Sequence, residues 1–208
     1  MLTTILICLA VGYFIGCFST GYLVGKANHI DIREHGSGNA GATNTLRTLG
    51  LKAGAITFFG DALKAVIPIT IFRLMNPDIE PVWQLYGLYL AVGVTLGHNF
   101  PFYLKFKGGK GIAVMGGTIL AIAGWEGALL AIILFGTCVY FTRYVSLGSL
   151  IIAWILPVSI IVNFRNHPAF LHMFVLCMFI TILAYIRHAG NIKRLLNGTE
   201  RKLGEKKQ

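Results

Sequence analysis

Three short stretches of this chain collect the residue types that bind anions. The first is Gly36-Ser37-Gly38-Asn39-Ala40-Gly41-Ala42-Thr43-Asn44, closed by Arg47. Glycines at 36, 38 and 41 let the backbone turn tightly and approach a ligand. Ser37, Asn39, Thr43 and Asn44 offer hydrogen bonds, and the planar fork of Arg47 fits a phosphate through two bonds. The second stretch is His98-Asn99-Phe100-Pro101, then Lys105-Phe106-Lys107-Gly108-Gly109-Lys110-Gly111, which runs straight into an apolar segment. Backbone N–H groups bared by glycines at a helix start, with lysines around them, make an anion cradle. The nucleotide pattern G-x-x-x-x-G-K-[ST] is not met, because Gly111 and Ile112 follow Lys110, so no nucleotide is expected. The third is His188-Ala189-Gly190-Asn191-Ile192-Lys193-Arg194, followed by Gly198-Thr199-Glu200. On a continuing helix His188 and Asn191 share a face.

The chemistry these residues could do is bounded by what accompanies them. There is no G-x-S-x-G elbow, no pair of carboxylates and no histidine–cysteine ligand set. Cys8, Cys17, Cys138 and Cys177 lie scattered in apolar runs and read as small packed side chains. A covalent acyl-enzyme or a metal hydrolase is therefore poorly supported, and neither metal nor cofactor is expected. No histidine is followed five residues later by aspartate; His29 has Glu34 at that spacing, without the rest of an acyltransferase pattern. What remains is positioning. A reaction between two phosphate-bearing substrates needs orientation and charge stabilisation more than a protein nucleophile.

The elements that must position these stretches are membrane helices. Of 208 residues, 55% are hydrophobic and only 12% charged, where soluble domains carry about a quarter charged residues. The apolar runs predict an all-α, polytopic membrane protein of about seven spans: roughly Thr3–Lys26, Leu51–Leu74, Val82–Phe102, Gly111–Ala123, Gly127–Phe141, Leu147–Val162 and Ala169–Ile186. The division between the fourth and fifth rests on Gly124-Trp125-Glu126-Gly127. The first span reads as a retained helix, not a removed signal peptide. Residues 1–200 form one membrane domain, and 201–208 a basic tail read as a solvated or lipid-facing charge run.

Charge orients the chain. The loops 26–52, 103–110 and 142–146 and the tail from 187 hold 15 of the 18 basic residues. Basic loops stay cytoplasmic, which places the amino terminus outside, the carboxyl tail inside and all three polar clusters on the cytoplasmic face. Within the second span Asp61 and Lys64 can pair, and are read as a buried pair that fixes helix packing. A transporter of an organic phosphate is the competing class. It would bind near the bilayer midplane between repeats, and here the clusters lie at one surface with no internal repeat.

Ser37-Gly38-Asn39, Gly41-Ala42-Thr43-Asn44 and Arg47, then His98 to Gly111, then His188-x-x-Asn191-Ile192-x-Arg194 with Gly198 and Glu200, resemble the three motifs of the bacterial acyl-phosphate:glycerol-3-phosphate acyltransferase family. The resemblance covers the chain in length, span number and motif order. It implies transfer of a fatty acyl group from acyl phosphate to the 1-hydroxyl of glycerol 3-phosphate, at the cytoplasmic side of the bacterial plasma membrane, among membrane lipids. The product is lysophosphatidic acid, and this is the first step of phospholipid synthesis; nucleic acid has no part in it. On that resemblance Gly108, Gly109, Lys110 and Gly111 cradle the donor phosphate, while Ser37, Arg47 and Lys107 bind the phosphate of glycerol 3-phosphate. Asn44, His188 and Asn191 orient the glycerol or the reacting carbonyl; Asn39, Thr43 and His98 complete the binding set. Ser37, Lys107, His188 and Asn191 are the catalytic candidates. The proton acceptor is either His188 or an oxygen of a substrate phosphate.

Overall fold

The computed structural model describes residues 1–76 and 82–205. Lys206 and Lys207 of the expected tail lie outside the described residues. Among the described residues every regular element is a helix: α1 (Leu2–Cys17), α2 (Thr20–Ala27), α3 (Ala42–Leu49), α4 (Leu51–Met75), α5 (Trp83–Asn99), α6 (Ile112–Thr142), α7 (Val145–Ile152), α8 (Ile155–Asn163), α9 (Phe170–Arg187) and α10 (Ala189–Leu196), with short 3-10 turns at Ile32–Glu34 and Phe102–Leu104. Five helical stretches are long and apolar enough to cross a bilayer: Leu2–Ala27, Leu51–Met75, Ile112–Thr142, Val145–Asn163 and Phe170–Arg187. The expected third span is α5, which has 17 residues and ends at Asn99.

Two expected spans are broken helices. The first divides at Phe18 and Ser19, both extended. The Lys64 ammonium, on α4, takes up the carbonyls of Gly16 (3.2 Å) and Phe18 (2.9 Å) at that break. In an apolar environment such groups must find a protein partner. The sixth divides at Ala153 and Trp154, and Thr181 of α9 donates to the Ala153 carbonyl at 2.8 Å.

Gly124 has φ 76 and ψ −173, a conformation closed to side chains with a Cβ, and it reverses α6. The reversal shows at the helix ends. Lys110, just before α6, bonds to Asn191; Asn191 and Ser146, the latter just after α6, both donate to Glu200 Oε1. A straight helix of this length would hold those ends about 46 Å apart. The Gly124–Gly127 sequence therefore marks a fold-back. The first stretch is part helix: Ala42–Leu49 is helical, and only 35–41 is loop.

Close helix contacts come from small residues. Gly12 and Gly16 of α1 face Gly93 and Gly97 of α5 at four-residue spacing. A Cβ at Gly16 would stand 2.2 Å from the Val94 carbonyl, and one at Gly97 only 2.0 Å from that of Tyr13. Such seams let backbones pack without a hydrophobic driving force inside lipid. Around α5 the core is filled by Ile69, Leu88, Met115, Ile119, Leu156 and Ile180, all buried. Gly97→Leu is expected to destabilise the fold by about 3 kcal/mol or more, since a whole helix must move. Gly116→Ala has nothing within 4 Å of the new methyl and should be neutral or slightly stabilising. Thermal unfolding midpoints of both variants in one detergent check the opposite signs.

Candidate active site

The three polar stretches meet at the ends of α6. The second stretch forms a hairpin loop over His98. Gly108 N–H donates to the Asn99 carbonyl (3.2 Å) and Gly109 N–H to that of His98 (3.0 Å). A Cβ at Gly108 would stand 2.1 Å from the His98 carbonyl, and one at Gly109 2.1 Å from the His98 ring. These glycines thus serve close packing on His98. Their N–H groups are occupied inside the loop and cannot form the cradle expected of them. The N–H groups left open lie one step later. Gly111, at φ 82, precedes α6, and the N–H groups of Ile112, Ala113 and Val114 open the helix without intrahelical partners. The buried Asn99 amide lies beside Gly111 with no partner among the described residues.

His98 itself is buried below this loop. Its Nδ1 lies 2.7 Å from Lys64 Nζ, and Lys64 pairs with Asp61 Oδ1 at 3.0 Å. The expected Asp61–Lys64 pair is present, and it extends to a residue expected to touch substrate. His98 is placed to support the loop rather than to face the anion cluster.

Arg187, which the sequence reading left without a role, pins the same loop from the other side. Its guanidinium donates to the Gly108 carbonyl (3.2 Å) and the Gly109 carbonyl (3.1 and 3.3 Å) and lies 5.1 Å from the centroid of the Phe100 ring. Only its place beside His188 hinted at this, and a basic residue at a span end reads first as a surface anchor.

The first stretch is organised by Asn44. Its Oδ1 accepts from Ser37 N–H (2.8 Å), and its Nδ2 donates to the carbonyls of Ile32 and His35 (3.0 Å each). The Asn44 side chain is therefore committed to loop backbone, not directed at a ligand. Ser37 is exposed, and Asn39 and Thr43 are half-buried. Arg33 pairs with Asp31 at 2.7 Å and donates to the Leu104 carbonyl, which ties the first loop to the second. Arg47 projects from α3 and donates to the Arg201 carbonyl at 3.2 Å. Arg201 in turn donates to the Gly36 carbonyl, so residues 199–203 cross the site as a strap where a solvated tail was expected. Lys107 is exposed, and its ammonium has no partner among the described residues.

The third stretch supplies the centre. Glu200 is buried and accepts from Asn191 (2.6 Å), Ser146 (2.8 Å) and Arg194 (2.7 Å). Asn191 passes its other end to the Lys110 ammonium. Burial alone would raise the Glu200 pKa; the donors from Asn191, Ser146 and Arg194 outweigh it and hold the carboxylate below its ordinary range. Lys110 is depressed to about 8, first by burial and then by Arg194, Arg187 and Arg47, against the pull of Glu200. Three arginines thus act on Lys110, with a single carboxylate beside it. The excess positive charge, beside the open end of α6, suits a bound anion. His188 ends α9, and its Nδ1 lies 2.8 Å from the Ala184 carbonyl. That contact puts the proton on Nδ1 and leaves Nε2 an acceptor. Burial, then Lys110, lowers the His188 pKa to about 4. Ser146 carried no signal in the sequence: it is one serine at the end of the short loop 142–146.

The family to which this arrangement belongs follows from comparison with known proteins. The family model described as glycerol-3-phosphate acyltransferase matches residues 6–198. The chain belongs to the glycerol-3-phosphate acyltransferase family. Members of that name from Alkaliphilus metalliredigens and Bacillus subtilis are 43% identical over 202 residues and 42% identical over 204; the alignments cover 97% and 98% of both chains. Among solved structures, PlsY (YgiH), described as an integral membrane glycerol 3-phosphate acyltransferase in its glycerol 3-phosphate form, matches with a TM-score of 0.82 at 32% identity over 96% of each chain. Its lysophosphatidic acid form matches with a TM-score of 0.80 at 31% identity. In this acyltransferase Arg187 pins the second loop, Arg47 and Arg201 tie the first loop to the strap, and bonds from α7 and α10 converge on Glu200.

Glu200→Gln tests that convergence. The folded-state pKa of Glu200 lies below the unfolded value of about 4.3, so its stabilisation is full above that value and is lost as pH falls through the folded pKa. Glutamine turns a donor toward Arg194, and the expected cost at pH 7 is about 1–3 kcal/mol. Unfolding midpoints from pH 3 to 7 should show a shallower acid decline for the variant than for the wild type.

Proposed function

We propose that this chain transfers a fatty acyl group from acyl phosphate to the 1-hydroxyl of glycerol 3-phosphate, yielding 1-acyl-glycerol 3-phosphate and inorganic phosphate. The observation that carries this reading is the gathering of Lys110 and Arg194 on the Asn191–Glu200 pair, with Arg47 bound to the strap and Arg187 to the glycine loop, at the start of α6. Two phosphate groups must be brought together there, and this is a surplus of cations able to hold them. The names of the relatives, and the glycerol 3-phosphate and lysophosphatidic acid forms of PlsY, support the acceptor and the product.

Lys110, Gly111 and the first N–H groups of α6 hold the donor phosphate, with Gly108 and Gly109 shaping the loop. Arg47, Ser37 and Lys107 hold the phosphate of glycerol 3-phosphate; Thr43 and Asn39 border it, and Asn44 and His98 act by supporting the loops. Asn191, fixed between Lys110 and Glu200, orients the reacting groups. The acceptor hydroxyl oxygen attacks the acyl carbonyl carbon, a C–O bond forms, and the bond from carbonyl carbon to phosphate oxygen breaks. The hydroxyl proton goes to a substrate phosphate oxygen. A phosphate with a second pKa near 6 is a better base than an imidazole held at about 4. His188 keeps a neutral acceptor in place instead. The chain crosses the plasma membrane seven times, with α5 and both limbs of α6 among the spans. Its amino terminus is outside, and the site faces the cytoplasm, where the basic loops lie.

Purified protein given palmitoyl phosphate and labelled glycerol 3-phosphate, without metal, is expected to form lysophosphatidic acid and phosphate. Palmitoyl-CoA should not replace the donor, and Arg47→Ala should abolish the product. No product in lipid that keeps the protein folded would refute the reading. His188→Asn keeps a donor for the Ala184 carbonyl and removes any ring base. Activity within about tenfold of wild type, with an unchanged acid limb of kcat/KM, supports the substrate-assisted route; a loss of about 100-fold or more would assign the base to His188.

A further inference from the structure

Among the described helices α10 alone has no buried residue. It is eight residues long, where a helix needs roughly 12–15 residues to persist by itself in water. One side is tied to the site through Asn191 and Arg194, both bonded to Glu200. The opposite side is open. Ala189, Ile192, Lys193 and Leu196 fall there at helical spacing, and Leu196 is 83% exposed. This side continues along α9 through Tyr185 to Ile186, which is 62% exposed. A groove of ≈ 460 Å³ lies where the two helices join.

The depth of the groove follows from α9. That helix is long and apolar enough to cross a bilayer and ends at Arg187, so α10 begins where hydrocarbon gives way to head groups. One charge stands in the apolar face. Lys193 lines the groove, is exposed, and its ammonium has no hydrogen bond or ion pair among the described residues. Asn197 beside it adds a neutral donor. Tyr185 turns its hydroxyl away, to Trp154 Nε1 (2.9 Å) and the Leu150 carbonyl (3.3 Å), so its ring is what lines the groove. An apolar hollow open to lipid, with an unpaired ammonium at head-group level, fits a molecule with an anionic head and hydrocarbon chains. A free phosphate would use Lys193 alone, and a zwitterionic head would bring its own cation against it.

We propose that the groove between α9 and α10 binds an anionic phospholipid of the surrounding bilayer, whose phosphate pairs with Lys193 and whose chains cover Ile186 and Leu196. The lipid gives α10 the apolar cover that the protein does not supply, and so braces the helix that carries Asn191 and Arg194. The site is separate from the cation cluster, since Lys193 lies on the side of α10 away from the residues that bond to Glu200. It is independent of the acyltransferase reading, because binding and bracing are both measured without substrate.

The test uses the purified full chain in nanodiscs of phosphatidylcholine, with and without phosphatidylglycerol. Native mass spectrometry counts the lipid each protein retains, and hydrogen exchange is followed at the amides of 189–197. The wild type is expected to retain phosphatidylglycerol over phosphatidylcholine by about fivefold, the effect of one lysine beside an anionic head. Exchange in 189–197 should slow by a similar factor when phosphatidylglycerol is present. Lys193→Glu should lose both the preference and the protection, and Lys193→Arg should keep both. Lys193 is exposed, so neither variant threatens the fold. A preference for phosphatidylglycerol that survives Lys193→Glu overturns the site. Equal protection in phosphatidylcholine alone overturns it too, since bulk lipid would then cover α10. Inorganic phosphate that displaces the lipid and protects α10 in its place makes this a plain anion site and overturns the lipid assignment. Protection that rises with the number of protein copies per nanodisc, whatever the lipid, gives the groove to a second copy and likewise overturns it.

Discussion

One buried carboxylate holds the polar end of this protein together. Glu200 accepts hydrogen bonds from Ser146 of α7 and from Asn191 and Arg194 of α10, and Asn191 passes the connection on to Lys110. Without an acid at this position, Lys110, Arg187, Arg194 and Arg47 would face one another in a partly desolvated space. Repulsion among like charges is strong there, because little water is present to screen it. Glu200 offsets enough of that repulsion for the three segments to meet, and leaves a positive remainder for an anion. The folded site therefore keeps an excess of positive charge that a bound anion can offset.

The surface arrangement stands on a second polar cluster inside the membrane. Lys64 joins the break in the first span to Asp61 and to His98, and His98 carries the glycine hairpin on its ring. Buried polar groups of this kind are costly unless every member is satisfied, and a satisfied network admits few alternative arrangements. The glycine seam between α1 and α5 brings those backbones close enough for Lys64, from α4, to reach both. The position of the hairpin loop is thus decided by contacts at membrane depth, although the loop acts at the surface.

Much of this was legible in the sequence. The membrane class, the three polar stretches, their common side and the fold-back at Gly124 follow from composition, charge and a few residues with strong backbone preferences. Apolar length and basic loops are read by the solvent, one residue at a time, and so survive in one dimension. The same local signals misled where they stopped at residue type. Gly108 and Gly109 suggested exposed N–H groups, yet both groups are bonded within the loop. Asn44 and His98 suggested ligand contacts, yet both hold backbone or buried charge.

The sequence by itself determined which residues are of a type to bind phosphate and that they gather between apolar spans, because hydration of charge and transfer of apolar side chains depend on each residue's own chemistry. Only the tertiary structure decided which of those residues face the site and which support it. That division depends on partners distant in the chain: Arg187 on Gly108, Ser146 on Glu200, Arg47 on Arg201. A hydrogen-bonding group has a fixed number of bonds to make. Whether those bonds go to the protein or remain for a substrate is set by what the fold brings within 3 Å or so, and no spacing along the chain specifies that.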